Sequence, residues 1–164
     1  MNESIYKHIK ALPPLDDTII KIQTVCSDDN SSLNDLSQIV EKDPMLTANI
    51  LRSANSPLYG FSREITTISR AVTLFGMATI RGFALSSAVK KSFKINLDTY
   101  GITSQDFLNI SIMQNALMYN WYSKINASEL TVLSPASFML EVGKIVISNE
   151  LNETGKADDF KSKL

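Results

Sequence analysis

Apolar residues recur three and four positions apart along most of this chain, and no stretch of useful length alternates apolar with polar. That pattern predicts helices and no sheet. In "ALPPLDDTIIKIQTVCSDDNSS", Pro13 and Pro14 pre-set a helix start, Asp16 and Asp17 suit its first turn, and Leu15, Ile19, Ile22 and Cys26 share a face. The spacing predicts an amphipathic helix of about three turns, ended by the turn-forming "SDDNSS". Ser32 with Asp35 three residues on reads as a capping box, opening a second helix with Leu33, Leu36, Ile39 and Val40 inward. Asp43 and Pro44 form an N-cap followed by a first-turn proline, which predicts a tight corner and a third helix. Its inward residues are Leu46, Ile50, Leu51 and Ala54, and Asn55, Ser56 and Pro57 stop it.

"SPLYGFSREIT" is a loop by its Pro and Gly, yet it carries Leu58, Tyr59 and Phe61, which are expected to fold back onto the helices. Two helices follow. One has Ile68, Ala71, Val72 and Phe75 inward and Gly76 as its stop, and the other has Ile80, Phe83, Ala84 and Ala88 inward, with Lys90 and Lys91 near its end. After the loop "KINLDTYGITS", Phe107, Ile110, Gln114, Leu117 and Trp121 form a stripe on a longer helix, so Gln114 is a polar residue on an apolar face. A last helix is expected from about Pro135 to Leu151, and residues 152–164 read as a polar tail that frays. The sum is a single all-α domain over residues 1–164, a compact multi-helix bundle of seven or so short helices.

Composition narrows the chemistry. The 16 basic and 17 acidic residues nearly cancel, so no global field draws the protein to a phosphate backbone. Nucleic acid is disfavoured as a partner. Cys26 is the single cysteine, which excludes an internal disulfide and any multi-cysteine zinc site within the chain, and it reads as a small core hydrophobe. His8 is the single histidine and lies in the N-terminal segment, which argues against metal sites built on several imidazoles and against the common histidine triads. There is no P-loop, no GxGxxG and no GxSxG. No cofactor or metal is expected. The N-terminus lacks an apolar signal core and no uninterrupted run approaches a membrane span, so a cytoplasmic protein without a membrane partner is expected.

Three stretches carry candidate chemistry. In "ANSPLYG", Asn55 and Ser56 can bond local backbone, Tyr59 has a large ring with a polar tip, and Gly60 permits a positive φ. It reads as a corner or, with Arg52 and Arg63, as a contact surface made by Arg52, Asn55, Tyr59 and Arg63. "ISRAVTLFGMATIRGFALSSAV" has the outline of a helix-turn-helix, although Arg81 is its only base-reading candidate near the start of the second helix. "ASFMLEVGKIVIS" places Glu141 and Lys144 among apolar residues, with Gly143 as a site for close helix packing.

"LPPL" (Leu12 to Leu15), "VEKDPMLTANILRSANSPLYG" (Val40 to Gly60) and "ITTISRAVTLFGMATIRGFAL" (Ile65 to Leu85) together resemble the HDOD family, the HD-related output domains of bacterial signalling proteins. The resemblance is close over residues 11–90. It implies an all-helical relative of the HD metal-dependent phosphohydrolases that lacks their metal-binding His and Asp and acts through other signalling proteins, near cyclic-di-GMP enzymes or in chemotaxis and motility circuits. Where relatives tend to carry "LLHDIGK", this chain has "MLEVGK": Leu140 stands at the histidine position and Glu141 at the aspartate position, a degenerate HD pair. Gln114 lies in the helix where catalytic relatives place an earlier histidine. The resemblance implies a non-catalytic regulatory domain; the alternatives are a degenerate phosphohydrolase or nucleotide-binding domain, and a DNA-binding hairpin. Family domains commonly run on for several more helices, so the chain is expected to be a fragment or to be completed by a partner. An uncovered apolar helix face would then serve as a homodimer or docking surface.

Overall fold

The first three helices described start where side chains satisfy free N–H groups. In the computed structural model, which describes residues 14–92 and 96–163 together with Tyr6 and Lys10, the Asp16 carboxylate accepts from the Ile19 N–H at 3.0 Å and opens α1 (Asp17–Ser27). Ser32 and Asp35 form the reciprocal capping box that opens α2 (Leu33–Val40). Asp43 caps α3 (Pro44–Ala54) with Pro44 in its first turn. The expectations for His8 and for Leu12 and Pro13 of the "LPPL" stretch lie outside the described residues.

The next element, α4 (Ile68–Ser92), is broken at Gly76, whose φ of 73° and ψ of 167° stop one helical run and start another. A left-handed φ strains any residue with a Cβ, so glycine is required there. A short 3-10 turn at Asp98–Tyr100 leads to α5 (Ser104–Tyr122), opened by a second capping box between Thr103 and Asp106. A 3-10 turn at Ala127–Glu129 precedes α6 (Leu130–Met139), and α7 (Val142–Glu153) and α8 (Ala157–Lys161) follow. Among the described residues there is no strand.

Helix α4 is the axis of the bundle, packed by α1, α2 and α3 and by α6. The main core joins Ile19, Ile22, Leu36, Val40, Leu46, Ile50, Val72, Ile80 and Phe138, all fully buried. Phe75, Phe83 and Phe138 make a chain of rings, with centroids 5.4 Å and then 4.7 Å apart. A smaller core holds Leu97, Phe107 and Ile145. Gly82 is where α4 and α6 touch, since a Cβ there would overlap the Phe138 ring.

Five expectations need correction. Leu15 and Leu33 are exposed rather than inward, because α1 and α2 are short and their buried levels are Ile19 and Ile22, and Leu36 and Val40. The predicted last helix is two helices: Pro135 lies inside α6 and the chain breaks at Leu140 and Glu141. Gly143 has no atom within 4 Å of an added Cβ and packs against nothing. Residues 152–164 do not simply fray: α7 runs to Glu153, Gly155 turns the chain with φ 68°, and Phe160 of α8 packs edge-on against Tyr100 at 5.4 Å. Finally, Ile68–Lys90 and Ala127–Glu153 do reach the length and hydropathy of a membrane span. The first is the core helix broken at Gly76, and the second is broken at Leu140 and Glu141.

Candidate functional site

The fifth helix reverses the expected polarity. Its buried residues are Phe107, Ser111, Asn115 and Ala116, whereas Met113, Leu117 and Trp121 are 55%, 69% and 57% exposed. Of the predicted inward stripe, only Phe107 is buried; Ile110 and Gln114 are half-buried and the other two face out. The reason is a polar network that needs the interior. Asn115, fully buried, accepts from the Tyr59 hydroxyl at 2.9 Å and donates to the Ser134 carbonyl at 3.1 Å, the Ser134 Oγ at 2.7 Å and the Ser137 Oγ at 3.0 Å. The Ser134 hydroxyl in turn donates to the Thr79 Oγ1 at 3.0 Å, which ties α5, α6 and α4 together. A buried amide is tolerated when its donors and acceptors are met. Sequence reading passed over these four residues; the signal was a small polar residue every three or four positions in Ser111, Asn115 and in Ser134, Ser137.

The "ANSPLYG" corner is built by Asn55. Its Nδ2 donates to the Leu51 and Ile65 carbonyls at 2.9 and 2.8 Å, and its Oδ1 accepts from the Ile65 N–H at 2.8 Å, so one side chain closes the loop onto the end of α3. Tyr59 is 4% exposed, its ring edge-on to Phe75 at 4.7 Å. Burial raises its hydroxyl pKa. Tyr59 is therefore a core residue and not a surface contact, because its ring fills the core and its hydroxyl is spent on Asn115. Arg52 and Arg63 are both exposed but apart: Arg52 lines a cleft with Ser53, Phe83, Lys90 and Asn109, and Arg63 a separate one with Phe61, Glu64 and Arg70. Of the four residues, Tyr59 is buried and Arg52, Asn55 and Arg63 are exposed.

At the degenerate HD pair, Leu140 is 65% exposed. Glu141 is held on both oxygens, by the Lys144 ammonium and by the Gln114 amide, which donates to Oε1 at 2.8 Å. These two partners, Lys144 first, hold its carboxyl below the usual range. The structure thus joins Gln114 and Glu141, two positions singled out from sequence, in a contact between α5 and the α6–α7 corner. Among the described residues no group of three His, Cys, Asp or Glu side chains could hold a metal. Arg81, the base-reading candidate, donates from Nε to the Gln23 Oε1 at 2.6 Å and so faces α1 within the bundle. Cys26 is partly buried and its Sγ lies 3.6 Å from the Met77 carbonyl; burial pushes its thiol up to about 11.

Besides the polar cleft at Arg63, Glu64 and Arg70, an apolar trough is open to the outside. The trough, of about 530 Å³, runs along α5, lined by Leu58, Ile110, Met113, Gln114, Leu117 and Asn120. Asn120 pins one wall by donating to the Leu58 carbonyl at 2.8 Å.

The all-α bundle is a fold shared with solved structures. It aligns with a protein from Shewanella amazonensis SB2B named for metal-dependent phosphohydrolase, at 20% identity and TM-score 0.67, over 99% of this chain and 62% of that one. It also aligns with an HDOD domain protein from Geobacter sulfurreducens, at 19% identity and TM-score 0.58, over 88% and 49%. A virulence factor from Campylobacter jejuni subsp. jejuni is 34% identical over 99% of this chain and 57% of its own, with TM-score 0.48. The chain thus spans about half to three fifths of these solved chains. No curated protein matches it. Residues 12–157 match the HDOD domain, and the chain belongs to the HDOD family.

Proposed function

We propose that this chain is a non-catalytic, cytoplasmic docking module of bacterial signal transduction, acting on other signalling proteins in a circuit of the cyclic-di-GMP, chemotaxis or motility kind. The observation that carries it is the orientation of α5, which buries Ser111 and Asn115 and offers Met113, Leu117 and Trp121 outside. Such a face contributes nothing to a monomer and is the usual driving surface of association.

The state of Glu141 supports the non-catalytic part of the reading. A general base must be free to take a proton, and a metal ligand must be free to donate a lone pair. The Lys144 ammonium and the Gln114 amide lower the proton affinity of Glu141, and Leu140, at the neighbouring position, offers no donor atom beside it. The test is incubation of the pure protein with cyclic dinucleotides and generic phosphoesters in Mn²⁺ or Mg²⁺. No turnover is expected. Metal-dependent turnover that disappears in E141Q would overturn the reading in favour of a degenerate hydrolase.

A further inference from the structure

Helix α5 carries no charged side chain between Asp106 and Lys124. Loss of charge marks the centre of a protein interface, and a polar rim surrounds it. Asp106, in the first turn of α5, and Lys124, two residues past its end at Tyr122, are 18 residues apart and put opposite charges at the two ends of the helix, and Asp106 shares a face with the positions 7 and 11 residues on. Met113 and Leu117 lie on that same face and are exposed. Both pairs are centred on position 115: Met113 and Leu117 flank it at equal distances, and so do Asp106 and Lys124.

We propose that a second copy of this chain covers this face, the two α5 helices running antiparallel about a two-fold axis at the level of residue 115. The proposal rests on the docking reading above and names its partner. A two-fold axis makes every contact occur twice. Met113 of each copy meets Leu117 of the other, and each Leu117 enters the trough walled by Leu58 and Ile110. Asp106 of each copy stands opposite Lys124 of the other, closing both ends with opposite charges. Its carboxylate is held ionised by the Thr103 hydroxyl and N–H, at 2.6 and 2.9 Å, so the charge is present at neutral pH. Trp121 faces Asn109 of the second copy, where the indole N–H finds an amide acceptor. A parallel pairing would instead set Asp106 against Asp106 and Lys124 against Lys124, and charge opposes it.

Sedimentation equilibrium of the whole chain is expected to give a dimer in the micromolar range. L117E is expected to give a monomer with an unchanged far-UV spectrum, since Leu117 is already exposed in one copy. K124E sets like charges opposite each other twice and is expected to raise Kd about tenfold at low salt, with the difference shrinking at high salt. Register is read by disulfide trapping, with the unsubstituted protein and its Cys26 as control. D106C mixed with K124C should cross-link, whereas either alone should not, because its two thiols would be about 27 Å apart. If loss of the cap unfolds D106C, N109C mixed with W121C reads the same register. A protein that stays monomeric at every concentration overturns the proposal, as does a dimer that L117E leaves intact or cross-linking of single variants as efficient as that of the mixture. Any of these leaves the docking reading standing and gives the face to another protein or to further residues of a longer chain; phosphoester turnover, by contrast, sinks that reading and not the dimer.

Discussion

Gly82 fixes the distance between α4 and α6, and replacing it by alanine sets two effects of opposite sign against each other. In a helix interior alanine is favoured over glycine by about 1 kcal/mol. At Gly82, however, the new Cβ would overlap the Phe138 ring, with Cε2 only 2.7 Å away, and would stand 3.3 Å from the Pro135 Cα. Phe138 is fully buried and its ring lies 4.7 Å from that of Phe83, so it has little room to swing, and the Pro135 atom is backbone. Overpacking of this kind costs about 1–3 kcal/mol. After the propensity gain, G82A is expected to lose up to about 2 kcal/mol, as much as several degrees in Tm for a chain of this length. Gly143 supplies the control. It is helical, and an added Cβ there has nothing within 4 Å, so G143A should gain about 0.5–1 kcal/mol. Urea melts with unchanged m-values read both. The double variant G82A/F138L, with a smaller residue facing the new methyl, should be less destabilised than the sum of its parts. A G82A protein that gains stability as G143A does, or a G143A protein less stable than G82A, would refute the close α4–α6 contact.

Three further outcomes follow from the buried and half-buried polar groups. N115A leaves the Tyr59 hydroxyl without its acceptor and takes a donor from Ser134 and Ser137, which keep their bonds to Thr79 and to the Ser134 carbonyl, and should cost about 2–3 kcal/mol in a denaturant melt, while Y59F, which leaves only the Asn115 Oδ1 unmet, should cost about 1–2 kcal/mol; a Y59F cost above that of N115A would argue against the network. Glu141 has a folded pKa lowered by Lys144 and Gln114, so its stabilising contribution is present above the unfolded carboxylate pKa and is lost as pH falls through the folded one. E141Q should therefore melt below the native protein at neutral pH and converge with it in acid; a constant gap across that range would contradict the pairing. Cys26, with its thiol pushed up to about 11 by burial, should react with a thiol-specific chromogenic disulfide only slowly at mildly alkaline pH and fast after unfolding. Immediate stoichiometric labelling of the folded protein would show an open thiol.

Local chemistry was what the sequence made legible. The caps at Asp16, Ser32 with Asp35, and Asp43 with Pro44 need only residues within three or four positions of one another, and each forms as its spacing dictates. Gly76 was legible for the same reason, because a single φ decides it. Gly82 and Gly143 were not. Both are helical glycines, and what separates them is whether a ring from another helix lies against the Cα, which no local pattern encodes. Pro135 misled likewise: it reads as a helix start, yet α6 begins five residues earlier, after the turn opened by Asn126.

The reversed α5 is the most instructive failure, because the same error uncovered the candidate site. Periodicity separates a helix into two faces but does not say which one is inside; that choice is made by assuming that polar groups go out. Here the assumption loses to pairing. An amide at Asn115 with four hydrogen-bond partners can be buried at small net cost, and once it is inside, Met113, Leu117 and Trp121 have to be outside. The helix geometry leaves no third option. A chain that turns its amide inward and its tryptophan outward keeps only part of that ring's burial as an isolated molecule, a contact with Tyr122 at 5.5 Å, and a partner that covered the face would add the rest.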